Sequence, residues 1–320
     1  MRSARLSNRH RIAVRQCALL TIGVLLSVAH SAAAQPERLV AVTIDDLPFA
    51  GPRSRSVEAN LRKLVAQLKQ LAVPTVGFVN AGKGQLQAMR LWKEAGFPIG
   101  NHTLTHPAYS RIEPQAFISD IRRNEQIVRQ ALGVELRGGY FRYPYLDHGH
   151  TEDKLRAVNA YLRHHRYTVA HVSLDTSDWA FANHYRGVAN ASVAALYLAH
   201  IQDCATHFEA LSKRLFGREI ALILLLHANQ LNADHIGKVI QLLRGRGYRT
   251  IALSEALKDP AYRPYRIRPP LVALRGDRNF LNQIALTRGL RIEDPTGGGH
   301  FRRHWKPVLE LLTNTTRRTR

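Results

Sequence analysis

Two adjacent carboxylates, Asp45 and Asp46, close an apolar run, and two histidines, His102 and His106, stand four residues apart. One helical turn would bring both imidazoles to the same face. With one carboxylate they make a His-His-Asp set for a divalent cation, leaving positions open for water and substrate. Asp46 is the natural third ligand. Neighbouring side chains on an extended segment point to opposite sides, so Asp46 can hold the cation while Asp45 faces the reacting water as general base. A histidine pair alone arises by chance in a chain with 16 His, packing or capping a loop. An Asp pair alone forms turns and caps. Together, after a strand, they point to a metal centre.

His227 follows the run Ile220–Leu226. Beside a metal site it becomes the candidate general acid that protonates a leaving amine, with Asp178 as the carboxylate that favours its charged form. Arg142 can grip a carboxylate bidentately and so orient Asp45. Trp179, Tyr145 and Leu225 can wall a small apolar pocket, and the backbone N–H of Tyr145 is a candidate oxyanion donor. For Leu225, plain core packing serves equally well.

These residues share a location only if the elements carrying them are parallel strands. Leu39–Ile44 is short, apolar and β-branched, the pattern of a strand buried on both faces. Helical spacing follows in Leu61, Leu64, Val65, Leu68 and Leu71, and Pro74 stops it. The alternation continues with strands at 75–79, 97–100, 139–142, 168–174, 220–226 and 250–253, and helices at 84–95, 117–132, 152–165, 188–216 and 232–244. About seven strands alternating with helices predict an α/β fold, a TIM-like barrel with one unit fewer than usual. In such a barrel the strand ends carrying the chemistry all lie on one face.

The apolar share of 45% excludes wholesale disorder, and two cysteines in 320 residues exclude a disulfide scaffold or a Cys-rich metal site. No apolar run reaches the ~18 residues that span a bilayer. Residues 1–34 read as an export signal: Arg2, Arg5, Arg9, Arg11 and Arg15, then an apolar stretch from Cys17 to Ala29, then Ala32-Ala33-Ala34. Its removal leaves Cys204 as the lone cysteine and lowers the formal charge from +22 to +17. The mature chain is expected outside the cytoplasm, periplasmic or secreted. The main domain is read as 35–258. Residues 259–320 form a basic, partly irregular extension with 13 Lys/Arg against 5 Asp/Glu and one helical candidate at 305–312. Docking on the barrel, tethering to an anionic surface and disorder all stay open for it. The excess charge suits polyanions, but no nucleic-acid-binding motif is present, so nucleic acid is not expected as a partner.

Five ordered segments complete the reading: Thr43-Ile44-Asp45-Asp46, His102-Thr103-Leu104-Thr105-His106, Arg142-Tyr143-Pro144-Tyr145, Asp175-Thr176-Ser177-Asp178-Trp179 and Leu225-Leu226-His227. They resemble the motifs of the polysaccharide deacetylases with a NodB homology domain, carbohydrate esterase family 4, over about Leu39 to Leu257. Ile44 departs from the Phe of many members. The segments Leu47–Gly51 and Leu146–His150 resemble a bacterial branch of the family. The resemblance implies a distorted (β/α)7 barrel, a divalent metal (usually zinc) and hydrolysis of acetyl groups. Its substrates are N-acetylglucosamine polymers such as chitin or peptidoglycan, or O-acetylated xylan. Carried over by position, it implies Asp45 as base, Asp46, His102 and His106 as ligands, and Arg142 orienting the base. It further implies the Tyr145 amide at the oxyanion, His227 as acid tuned by Asp178, and Trp179 and Leu225 around the acetyl methyl. A small amide or cyclic imide as substrate, and a catalytically silent carbohydrate-binding barrel, are the rival expectations.

Overall fold

The run near residue 40 forms β1 (Arg38–Leu47), in which Val40 to Ile44 are almost wholly shielded from solvent. The computed structural model describes residues 37–186, 190–266, 279–292, 295–296 and 305–310. The expected export signal and parts of the C-terminal extension lie outside the described residues.

A strand buried on both faces needs neighbours on each edge. β1 pairs in parallel with β6 (Leu222–His227) along one edge. Its other edge is divided: β7 (Tyr248–Ile251) takes Arg38 to Ala41, and β2 (Thr75–Val79) takes Val42 to Leu47. From β2 the sheet continues through β3 (Ile99–Asn101), β4 (Tyr140–Phe141) and β5 (Thr168–Val169), all parallel. Beyond β5 the chain reaches Leu174, which bridges in parallel to Leu224 of β6. The seven strands therefore curl into an uneven barrel, the TIM-like form with one unit fewer expected from the alternation and the distorted (β/α)7 form that the resemblance implies.

The helices are α1 (Val57–Gln70), α2 (Arg90–Glu94), α3 (Pro114–Leu132), α4 (Glu152–His164), α5 (Asp178–Ala182), α6 (Asn190–Phe216), α7 (Gln230–Gly245), α8 (Leu253–Ala256) and α9 (Phe280–Thr287). In α1 the Ser56 hydroxyl accepts the Ala59 N–H, and Leu61, Leu64, Val65 and Leu68 face the core. The helix expected over 84–95 is interrupted, because Gly84 and Gln85 take left-handed φ of 71° and 55° and a 3-10 turn precedes α2. None of the described helices is long and apolar enough to cross a membrane.

The extension departs most from expectation. Residues 306–310 are helical, near the candidate at 305–312, but α9 has no counterpart in the sequence reading. Phe280 opens α9; its N–H donates to Val172 O at 2.7 Å, and its ring lies 5.0, 4.8 and 5.4 Å from His171, Tyr262 and Tyr265. Phe280, Leu281, Ile284 and Ala285 are buried, and so is Leu309. A short helix covered on nearly every side has no polar face, hence no amphipathic stripe to read.

Candidate active site

Asp45 and Asp46 end β1 at the face where the parallel strands stop. Asp45 pairs across the sheet with His227 of β6, so candidate base and candidate acid are neighbours by strand register. Asp46 has a left-handed φ of 66°, and the β1–β2 register shifts between Ile44 and Leu47. Simple alternation does not separate the two carboxylates; a backbone kink at Asp46 does. Non-glycine residues at positive φ recur around this face at Thr103, His106, Tyr145 and Ser177, strain of the kind that persists where a site over-determines the backbone.

His102 and His106 do not share a helical turn. They lie in a loop after β3, and their rings meet edge to face at 4.9 Å. Side chains that the sequence reading passed over fold this loop. Asp120 on α3 accepts the Leu104 and Thr105 N–H groups at 2.8 and 2.9 Å and the Thr105 hydroxyl at 3.0 Å. Asn101 accepts the Thr103 N–H, and the Thr103 hydroxyl accepts the His106 N–H. Asp120 and Asn124 interrupt the apolar stripe Phe117–Ile121–Val128, the one available signal that polar groups there are needed inside.

The Asp46 Oδ1 atom lies 3.5 Å from His106 Nε2 and 3.9 Å from His102 Nε2. Among the described residues Asp46, His102 and His106 are the one such group of potential metal ligands, with all three atoms within 4.8 Å of one another. Ligands ~2.0–2.1 Å from a tetrahedral ion stand about 3.4 Å apart, so the set fits a divalent cation after a small contraction. Asp46 Oδ1 is buried and accepts no well-directed hydrogen bond from the described residues; the Lys83 ammonium stands 3.1 Å away. His102 Nδ1 lies 2.8 Å from the Arg142 carbonyl, which turns the bare Nε2 inward, the usual support for a ligating imidazole. Burial and the neighbouring His106 push the His102 pKa well down, keeping the ring neutral. Burial opposes ionisation of Asp46, but His227, His102, Lys83 and His106 outweigh it and hold the carboxyl well below its usual range.

Asp45 is nearly inaccessible, and burial raises its pKa to about 6 against the pull of Arg142 and His227. Arg142 contacts it through one nitrogen, Nη1 to Oδ2 at 3.2 Å. The expected bidentate grip is absent because Nη2 donates to the Thr43 hydroxyl at 3.1 Å. The guanidinium also sits 4.7 Å over the Phe78 ring. Phe78 in turn leaves no room above Gly100, where an added Cβ would come within 2.5 Å of the ring.

Opposite, Asp178 is fully buried and accepts from His227 Nδ1 (2.7 Å), His227 N (3.0 Å), Asn229 Nδ2 (2.7 Å) and Asn232 Nδ2 (2.6 Å). Burial opposes charge on His227, yet Asp178, with Asp46 and Asp45 behind it, carries its pKa up to about 10. Asp178 therefore favours the imidazolium form of His227. Tyr145 and Trp179 are half exposed, and the Tyr145 ring stands 4.4 Å from that of His106. Leu225 is buried but stays outside the main apolar cluster that takes Leu222, Ile223, Leu224 and Leu226. The extension reaches this face as well: the Ser177 hydroxyl donates to Thr296 O at 3.4 Å.

The Polysaccharide deacetylase family pattern matches residues 32–165, which carry the double aspartate, both histidines and Arg142. Over those residues the chain is similar to the polysaccharide deacetylase family, and its barrel resembles that of a family 4 carbohydrate esterase fold. Wild-type BA3943, a pseudoenzyme of that family from Bacillus anthracis, superposes with a TM-score of 0.51 at 16% identity, covering 69% of this chain and 66% of that one. A BA3943 mutant with restored enzymatic activity gives 0.51 at 18%, covering 69% and 68%. Peptidoglycan deacetylase PdaC from Bacillus subtilis gives 0.49 at 19%, covering 70% and 91%. No curated protein matches the chain.

Proposed function

We propose that this protein is a metal-dependent hydrolase that removes acetyl groups from N-acetylglucosamine-containing polysaccharide such as peptidoglycan or chitin, acting outside the cytoplasm. One observation carries the reading: Asp46 Oδ1 and two imidazole Nε2 atoms converge beside the buried carboxylate of Asp45, whose cross-strand neighbour is His227. A divalent cation in that triad, most simply zinc, supplies Lewis-acid polarisation of the acetyl carbonyl and acidifies the attacking water.

The chain's own groups do the rest. Asp45, ionised above about pH 6, takes the proton from water, and Arg142 with Thr43 fixes its orientation. The Tyr145 backbone amide donates to the oxyanion as it forms. His227 gives its Nε2 proton to the departing amine, while Asp178 holds the ring through Nδ1 and favours the imidazolium. Trp179 and Leu225 receive the acetyl methyl. The family barrel also occurs in a pseudoenzyme, but here the triad converges and the second carboxylate and the candidate acid stand side by side at the same strand ends, which supports turnover. The formal charge of +17 expected of the mature chain supports an anionic wall polymer as the surface on which it acts.

The test is acetate release from chitin oligomers, peptidoglycan and acetylxylan, with and without chelator, alongside metal analysis of the purified protein. Release from the N-acetylated glycans that stops with chelator and returns with Zn2+ is expected. Chelator-insensitive release, or none from any glycan by metal-loaded protein, overturns the reading.

A further inference from the structure

Lys83 reaches the triad from outside all five motifs. It ends the short turn Ala81–Lys83 after β2, and its Nζ stands 3.1 Å from Asp46 Oδ1. That oxygen is the one facing both histidine Nε2 atoms. The turn is not free to carry the side chain elsewhere. Ala81 N donates to Asn124 Oδ1 at 2.9 Å, Gly82 N to Leu104 O at 3.0 Å and Lys83 N to Asn80 O at 3.2 Å. Gly82 packs so closely on the histidine loop that an added Cβ would stand 2.5 Å from Leu104 O. The same framework therefore fixes the imidazoles and delivers the ammonium.

One oxygen thus serves two cations. A cation held by Oδ1 and an ammonium 3.1 Å from the same atom would be like charges close together in a largely buried site, where repulsion is poorly screened. We propose that Lys83 is a positioning residue of the metal centre: a tethered cation that holds Asp46 in the empty triad, yields the oxygen when the metal enters, and so sets the metal affinity. This rests on the metal reading above. In the metal-free protein the ammonium compensates Asp46 beside the more deeply buried Asp45, so the ligands keep their places. Its side chain is 31% exposed, which gives the ammonium a route to solvent once displaced.

The prediction has a sign that a merely structural lysine would not produce. Zn2+ affinity is measured by competition with a chromophoric chelator for the wild type, Lys83→Met, Lys83→Ala, Lys83→Arg and His102→Ala. Removing the charge (Lys83→Met, with Lys83→Ala as second variant) tightens binding by about tenfold or more, the scale of a partly screened repulsion over a few ångströms. Lys83→Arg stays within about threefold of wild type, because the charge is retained. Zn2+ also raises the melting temperature of Lys83→Met more than that of wild type, since binding energy appears as stability. Unchanged or weaker Zn2+ binding by both neutral variants, while His102→Ala loses the metal, overturns the role of Lys83 and leaves the metal centre standing. Equal binding by wild type and His102→Ala overturns the metal centre and the lysine proposal with it.

Discussion

Replacing Asp178 with Asn removes one negative charge beside His227 while nearly preserving its shape. In the wild type His227 titrates at about 10, because Asp178 lies 2.7 Å from its ring nitrogen and outweighs burial. Without that charge the ring falls to its ordinary ~6.5 or lower, a change worth roughly 5 kcal/mol between protonation states. At pH 8.5 the wild-type acid is almost fully protonated, whereas the variant keeps about one molecule in a hundred protonated. Activity in the wild type should rise through about pH 6, as Asp45 ionises, and fall only near pH 10. In Asp178→Asn the falling limb moves to pH 6.5 or below, so acetate release at pH 8.5 drops about 100-fold and at pH 6 far less. Stability carries the same signature. A raised histidine pKa stabilises fully below ~6.5, and that contribution is lost as pH rises toward 10. Urea midpoints should therefore decline between these values in the wild type more than in the variant. The assay is acetate release by metal-loaded protein across pH 5–10. A falling limb unmoved by Asp178→Asn would refute the assignment of His227 as the acid.

The two aspartates should separate cleanly. Asp46→Ala abolishes Zn2+ binding measured by metal analysis, whereas Asp45→Asn retains the metal and loses about 10²–10⁴-fold in kcat. Near-normal turnover by Asp45→Asn means that another group is the base. Gly100→Ala drives a Cβ to 2.5 Å from Phe78, the ring beneath Arg142. It should cost about 1–3 kcal/mol in urea unfolding and lower kcat by displacing the guanidinium that orients Asp45. Phe280→Ala empties a site between His171 and Tyr262 and should lower stability by about 3–5 kcal/mol, the mark of an extension that is part of the packed body.

The polar residues at strand ends were legible because parallel strands bring their C-terminal ends together whatever the loop details, and β1 and β6 announced themselves by continuous apolar runs. The loop between His102 and His106 was not legible. Four-residue spacing suits a helix, but Asp120, 14 positions beyond His106, binds the loop's N–H groups and overrides that preference. Arg142 was legible as the partner of Asp45 but not as one divided between a carboxylate and a hydroxyl, since Thr43 reaches it from the neighbouring pleat of β1. Lys83 belonged to no motif, and α9 carried no periodic signal.

Taken alone, the amino-acid sequence determined which functional groups exist and that they fall at successive strand ends, because residue type and hydrophobic period are local properties. Only the tertiary structure decided which atoms meet. The cross-strand register sets Asp45 beside His227, the left-handed turn at Asp46 aims its Oδ1 at the two imidazoles, and long-range hydrogen bonds accepted by Asp120 and Asp178 hold the histidine loop and the His227 ring in place. Such contacts depend on chain segments up to 182 residues apart, as Asp45 and His227 are, and distances of that kind are set by packing rather than by neighbouring residues.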